Sequence, residues 1–494
     1  MDNILYSGFI GPKAENIEAL RIFLNKVLDH QRTWRQSFFK EDDSLYKNFK
    51  NDFSSIEKEL DLFLQKYNSN TPFFHPRYSA QMLKDTTLPT IIGYLAFMLT
   101  NPNNHAYEGG PVTTDMEIEV VSRLKNMIGY KQGWGHLTSG GSLANTEALW
   151  AIRDYYKNGT VYFSEVSHYS WKRICSILRI PQYEEVNVDK NFRIDLNQLE
   201  EKLKHNPALA VIANFGSTGT GSVDDIEGLL QLKNKYDFHL HVDAAYGGFL
   251  RTIILDEKGA VIPYKETLPI SDYVYKQMFL LNESDSITID PHKQGLISYG
   301  AGAVLYKNEE LRSVILNTAP YTYHQLDKPN IGMFSFEGSR PGAMAAACYL
   351  TYKVFPLNNV GVGKVAYNSL KASKEFYNMI EDSDGFKNLH HPDLDLNCFY
   401  VNSDLQSATV HNEYVINLYK QLSVEAENPE FILSKFVMTP ELSRRILPNL
   451  ENSSNENVIA LRSVFMKHWN GLDENRYIKM LVDTLNRKLS EIKI

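Results

Sequence analysis

The sequence predicts an α/β architecture: a mostly parallel sheet with helices on both faces, preceded by a helical arm and followed by a smaller α+β region. Three observations carry this. Residues 208–215 form an apolar run broken only by Asn214 and closed by Gly216, the pattern of a parallel strand buried on both faces. Asp224 and Asp225 then open a helix with Ile226, Leu229 and Leu230 at i, i+3 and i+4, and residues 238–242 supply the next strand, completing one βαβ unit. Composition agrees: of 494 residues 43% are apolar and 22% charged, enough to bury a large core.

Taken in order, residues 1–75 read as an N-terminal helical arm, with apolar positions at helical spacing (Ile17, Leu20, Ile22, Phe23, Leu24; Ile56, Leu60, Phe63, Leu64) whose stripes need a partner surface. Pro72, Pro76, Pro89 and Pro102 punctuate the turn-rich stretch that follows. Residues 76–350 form the expected large domain, with further short strands at 161–163, 286–290 and 301–306. Residues 351–494 mix amphipathic helices with strands such as 397–401 and read as a small C-terminal domain. The net charge of −8 offers no positive field for nucleic acid or an anionic membrane surface. Cys175, Cys348 and Cys398 are too few and too scattered for a disulfide framework, which points to a reducing cytoplasm. The first residues lack the basic-then-apolar pattern of a secretory signal, and the longest apolar stretch, 91–99, is about half a membrane span.

Ligands of such sheets bind beyond the strand C-termini, and three segments with chemistry fall there. Thr138-Ser139-Gly140-Gly141-Ser142 opens a helix. Its two glycines let backbone N–H groups approach an anion and Ser142 adds a hydroxyl, a sound phosphate cradle. Neither a Walker A pattern nor G-x-G-x-x-G is present. Asp243 ends the strand 238–242, where a carboxylate needs a cationic or hydrogen-bonding partner. Lys293 follows the strand 286–290, and a lysine near cationic or apolar groups has a lowered pKa and forms a Schiff base with an aldehyde. Taken singly, each has a blander reading as a turn, a cap or a surface amine. Together, a phosphate cradle, a buried acid and an amine are what pyridoxal 5'-phosphate requires, with Asp243 keeping the pyridine nitrogen protonated. His168, in the SHYS loop after strand 161–163, is then placed to lay its imidazole over the ring. A rival reading makes His239, His241 and Asp243, at i, i+2 and i+4 on one strand face, ligands of a metal in a hydrolase; it leaves Lys293 and the glycine turn without a task.

The succession TSGGSLAN, SHYSW, HVDAAYGG, TIDPHK and EGSRPGA, in this order, resembles the group II pyridoxal-phosphate amino-acid decarboxylases, and within them bacterial tyrosine decarboxylases and their relatives. The resemblance runs from about Pro72, through NPNN and GGPVTT, to about Lys364. It implies an aspartate aminotransferase-type fold (PLP-dependent transferase-like) and a homodimer with the arm wrapped on the partner. It also implies decarboxylation of an L-amino acid to the amine and carbon dioxide. It assigns Lys293 as the Schiff-base lysine, Asp243 to the pyridine nitrogen, His168 to stacking and Ala245 beneath the ring. Gly141, Ser142 and Asp290 fall where the family holds phosphate, Thr218 near the phenolic oxygen or the substrate carboxylate, and His292 beside the Schiff base. Tyr321, or less favourably Tyr323, is the expected proton donor on a mobile loop, and Ser339 is expected at the phosphate of the neighbouring subunit. An aromatic substrate is expected, with Phe73, Phe74, Tyr78, Tyr94 and Tyr107 near the entrance. The alternatives are an acidic substrate held by His75, Arg77 or Arg340, and a carbon–carbon lyase, since GSRPGA also resembles sphingosine phosphate lyases.

Overall fold

A computed structural model of the chain describes residues 3–46, 51–318, 327–402, 407–453 and 455–492. Its centre is a seven-stranded sheet of β1 (Trp134–Thr138), β2 (Thr160–Ser164), β3 (Tyr183–Val186), β4 (Ala208–Asn214), β5 (His239–Asp243), β6 (Ser286–Ile289) and β7 (Gly302–Tyr306), in the order β1-β7-β6-β5-β4-β2-β3. Only β7 runs against its neighbours, so the expected mostly parallel sheet is found. Every residue of β2, β4, β5, β6 and β7 is buried, because helices cover both faces. The βαβ unit forms as read, with one correction. Asp225 caps the helix Ile226–Tyr236 by accepting from Gly228 N at 3.1 Å. Asp224 instead turns inward and accepts from the backbone N–H groups of Asn214 and Ile194, at 2.6 and 2.7 Å. Burial pushes its carboxyl up to about 6.

Register brings the loops together. Asn214 pairs with Asp243 across β4–β5, and Asp243 pairs with Thr288 across β5–β6, so these strands end at one level. Antiparallel pairing on β7 sets Thr138 opposite Gly302 and Ile289 opposite Ala303, which adds the end of β1 to the same edge. β1 and β7 approach so closely that a Cβ on Gly302 would lie 2.6 Å from Gly140 Cα.

The C-terminal region carries a second, antiparallel sheet of β8 (Phe386–Asn388), β9 (Leu396–Val401), β10 (Ser434–Met438) and β11 (Val458–Val464), ordered β10-β11-β9-β8. The helices Val362–Glu381, Ala408–Gln421 and Arg476–Glu491 pack on it through Phe376, Leu418 and Leu481, which meet Phe399 and Phe465 in a separate core. Arg462 of β11 reaches back to the large sheet, donating to the carbonyls of Thr218 and Gly219 at 2.7 and 3.0 Å. In the arm, the helix Ile17–Arg35 buries only Leu20 and the helix Ser54–Tyr67 buries nothing. Ile56, Leu60, Phe63 and Leu64 are all exposed. Among the described residues no helix is long and apolar enough to cross a membrane.

Candidate active site

The loops leaving β1, β2, β4, β5 and β6 enclose a cavity of about 390 Å³. Gly140, Gly141, Ser142, His168, Thr218, Asp243, Ala245, Asp290, His292 and Lys293 all line it, so ten of the side chains or turns singled out in the sequence converge on one space. The helix Gly141–Tyr156 begins at its wall, aiming unpaired N–H groups and the positive end of the helix dipole inward. A Cβ on Gly141 would lie 2.9 Å from Asp290 Oδ2 and 3.0 Å from Ala245 Cβ, so glycine is what keeps the cradle open.

Asp243 is fixed from behind. Its Oδ2 accepts from Asn145 Nδ2 at 2.9 Å and from Trp171 Nε1 at 3.0 Å, and its Oδ1 accepts from the backbone N–H of Ala245 at 3.3 Å. These three donors fix the orientation of the carboxylate, which lines the cavity. Lys293 Nζ lies 3.1 Å from Asp290 Oδ2. The expected lowering of its pKa is reversed in this structure. Burial pulls the ammonium down, but the carboxylates of Asp290 and Asp243 outweigh burial and hold it above the ordinary lysine value. His292 Nε2 is 3.5 Å from the same Asp290 oxygen, and burial keeps its imidazole below the usual histidine range against that carboxylate's pull. His168 also lines the cavity, with Nδ1 2.7 Å from Ser170 Oγ; burial lowers its pKa more than Asp243 raises it, so the ring there is neutral.

The metal reading loses its ligands to hydrogen bonds. His239 Nε2 and His241 Nδ1 both reach Ser286 Oγ, at 2.7 and 2.8 Å, and His241 Nε2 lies 3.1 Å from Asn145 Oδ1. Burial holds the two rings neutral, with pKa values pulled down to about 4 and about 3. Among the described residues no group of three His, Cys, Asp or Glu side chains is arranged to hold a metal.

Ser339, expected at the phosphate of a neighbouring subunit, does not line this chain's own cavity. Its Oγ accepts from Asn103 Nδ2 at 3.3 Å, on a turn tied to the cradle where Glu337 accepts from Ser139 N at 3.1 Å. Tyr321 and Tyr323 lie outside the described residues. Phe73, Phe74 and Tyr94 line an adjoining cavity. Tyr78 instead packs against Phe73 in a buried cluster, and Tyr107 OH donates to Asp115 at 3.2 Å on the surface. Arg340 is buried against Glu117 and the Leu137 carbonyl because its guanidinium needs a counter-ion there. Arg77 donates to the Glu430 carbonyl at 3.2 Å, and neither it nor His75 lines either cavity.

The sequence reading missed Asn145, Trp171, Tyr246 and Tyr299. Asn145 was findable: four residues after Gly141, one helical turn on, it shares the inward face. Trp171 lies within the quoted SHYSW but contacts Asp243 across 72 residues, which no local pattern reveals.

The fit to pyridoxal phosphate rests on these groups: an amine, an anchored carboxylate, a helix N-terminus cleared by glycine, and the buried His292 Nδ1 and Asp290 Oδ1, which have no hydrogen-bond partner among the described residues. Comparison with known proteins agrees. Residues 48–402 match the family model of the pyridoxal-dependent decarboxylase conserved domain. The chain is 28% identical to an L-tyrosine decarboxylase of Enterococcus faecium over 98% of both chains. It is likewise 28% identical to an aspartate 1-decarboxylase of Aliivibrio fischeri, over 72% of this chain and 74% of that one. In fold it is similar to Oryza sativa TDC, solved with PLP and tryptamine, with a TM-score of 0.71 at 15% identity over 97% of this chain and 99% of that one.

Proposed function

Since the chain belongs to the pyridoxal-dependent decarboxylase family, we propose that its substrate is an aromatic, tyrosine-like L-amino acid, converted to the amine and carbon dioxide. The enzyme is a pyridoxal-phosphate-dependent carboxy-lyase acting on an amino acid. The observation that carries the reading is the meeting of Lys293, the anchored Asp243 and the Gly140–Gly141–Ser142 turn in one buried cavity.

Bound there, pyridoxal phosphate supplies an electron-poor ring that takes up the electron pair of the breaking carbon–carbon bond. The protein's part is positioning and charge. Lys293 is the amine that joins the aldehyde. Asp243, oriented by its Asn145, Trp171 and Ala245 donors, would hold a proton on the ring nitrogen. The helix at Gly141 and the Ser142 hydroxyl bind phosphate, while Ala245 and the neutral His168 ring pack the two faces. Thr218, whose carbonyl accepts from Arg462, lines the cavity and serves the cofactor's phenolic oxygen or the substrate carboxylate. His292 adjoins Lys293 in the cavity wall. Tyr321 donates the proton to the α-carbon, and Ser339 serves the phosphate site of a neighbouring subunit. Two copies form a cytoplasmic homodimer, which covers the apolar stripe of the arm.

Support for an aromatic substrate comes from Phe73, Phe74 and Tyr94 in the adjoining cavity, and from the engagement of Arg340 and Arg77 elsewhere. A panel of L-amino acids scored for released carbon dioxide and for product tests it. Tyrosine turned over fastest, with amine as product, is the expected result. Turnover confined to aspartate or glutamate refutes the substrate assignment, and an aldehyde product without carbon dioxide refutes the reaction.

A further inference from the structure

A second cavity of about 1120 Å³ shares His292 and Tyr299 with the cofactor cavity, so a substrate held at the cofactor beside Lys293 has a neighbouring space for its side chain. Phe73, Phe74 and Tyr94 give this second space an aromatic wall, and Lys84 and Asp85 stand within it. We propose that Lys84 is the residue by which the enzyme reads a hydroxyl at the far end of an aromatic substrate side chain. The inference rests on the aromatic reading above and sharpens it.

Lys84 is held by a chain of hydrogen bonds that leads back to the cofactor cavity. Its Nζ donates to Gln294 Oε1 at 3.3 Å; Gln294 Nε2 donates to Asp395 Oδ2 at 2.6 Å and to Tyr246 OH at 3.2 Å. Tyr246, which lines the cofactor cavity, donates in turn to Asp395 Oδ1 at 2.5 Å. An ammonium has three N–H donors, and this chain of groups occupies one. A half-buried ammonium whose other two donors find no partner among the described residues favours a ligand that brings an acceptor. Burial draws the amine down to about 8, against the pull of Asp395, which leaves it mostly protonated at neutral pH.

Asp85 decides which acceptor fits. Its carboxyl is pushed up to about 6 by burial, and its Oδ2 is buried without a hydrogen-bond partner among the described residues. A distal carboxylate would meet a second acid in the same wall. A hydroxyl accepts from Lys84 and keeps an O–H to donate. A bare phenyl ring satisfies neither group, which is the arrangement that discriminates most strongly between substrates differing by one hydroxyl.

The test uses the pyridoxal-phosphate-loaded enzyme with L-tyrosine, L-phenylalanine and L-aspartate, comparing wild type with Lys84→Met and Lys84→Gln. Wild type should favour tyrosine over phenylalanine by about 10–100-fold in kcat/KM, the usual range for one charged hydrogen bond. Lys84→Met should bring that ratio near one by raising KM for tyrosine with kcat little changed, and Lys84→Gln, which keeps a donor, should restore part of it. Cofactor absorbance equal to wild type shows the site intact. A tyrosine-to-phenylalanine ratio that Lys84→Met leaves unchanged overturns the role of Lys84. Should the variants fail to fold, a wild-type ratio near one overturns it equally. Turnover of aspartate alone overturns instead the aromatic reading on which it stands.

Discussion

Replacing Asp243 by asparagine exchanges one oxygen for a nitrogen and removes a charge from a side chain that is 8% exposed. Its Oδ2 faces the N–H donors of Asn145 and Trp171 at 2.9 and 3.0 Å, and its Oδ1 faces the Ala245 N–H at 3.3 Å. An amide can satisfy only one of these two sides. With its oxygen toward Asn145 and Trp171, its NH₂ meets the Ala245 N–H; reversed, the NH₂ meets two donors. Either orientation leaves a buried donor unpaired, at a cost of about 1–3 kcal/mol. The lost carboxylate also stops favouring a proton on the ring nitrogen, and removing an opposite charge at this range moves a pKa by about 1–3 units of about 1.4 kcal/mol each. The unpaired donor costs folding stability, whereas the lost charge removes about 1.4–4 kcal/mol of barrier lowering, so kcat should fall about 10–10³-fold. The assay is carbon dioxide release at saturating substrate, with cofactor content matched by absorbance. An Asp243→Asn enzyme fully loaded with cofactor and within about threefold of wild-type kcat would refute the assignment of Asp243, because that little corresponds to less than 1 kcal/mol.

Three further outcomes are expected. Trp171→Phe deletes one donor to Asp243 while keeping an aromatic ring, so kcat should drop about 10-fold with cofactor content unchanged; no change in kcat would mean that Asn145 and Ala245 suffice. Acidification should destabilise the fold. His239, His241 and His468 are held near 4, 3 and 3 by burial, so their contribution is complete above an unfolded pKa near 6.5 and is lost as pH falls, about 1.4 kcal/mol per unit for each. Asp85 and Asp224, raised to about 6, act with the opposite sign but are outnumbered, so Tm should be lower at pH 5 than at pH 7; a rise would contradict this balance. Leu60→Asp with Phe63→Asp, on the exposed stripe of the helix Ser54–Tyr67, should shift the protein from dimer towards monomer in light scattering, and a wild-type enzyme that is an active monomer would remove the dimer from the proposal.

Local chemistry fixed much of this protein before any folding is considered. Apolar runs such as that of β4, buried at every residue, and the capped helix Ile226–Tyr236 are written in hydrophobic spacing, and the strand ends carrying Asp243 and Lys293 follow directly. Short or half-exposed strands left no such trace. β1 and β3 are each partly open to solvent, and what makes them strands is a partner distant in the chain. The same holds for the site. A turn rich in glycine, an acid and an amine are recognisable as residue types, whereas the state of each depends on neighbours that only tertiary structure supplies. Trp171 and Asn145 orient Asp243, two carboxylates raise Lys293 where apolar burial alone would lower it, and Glu117 takes Arg340 away from any substrate. Electrostatic interactions act through space at a few ångströms, and sequence order records that distance only within one helix turn or one strand pair.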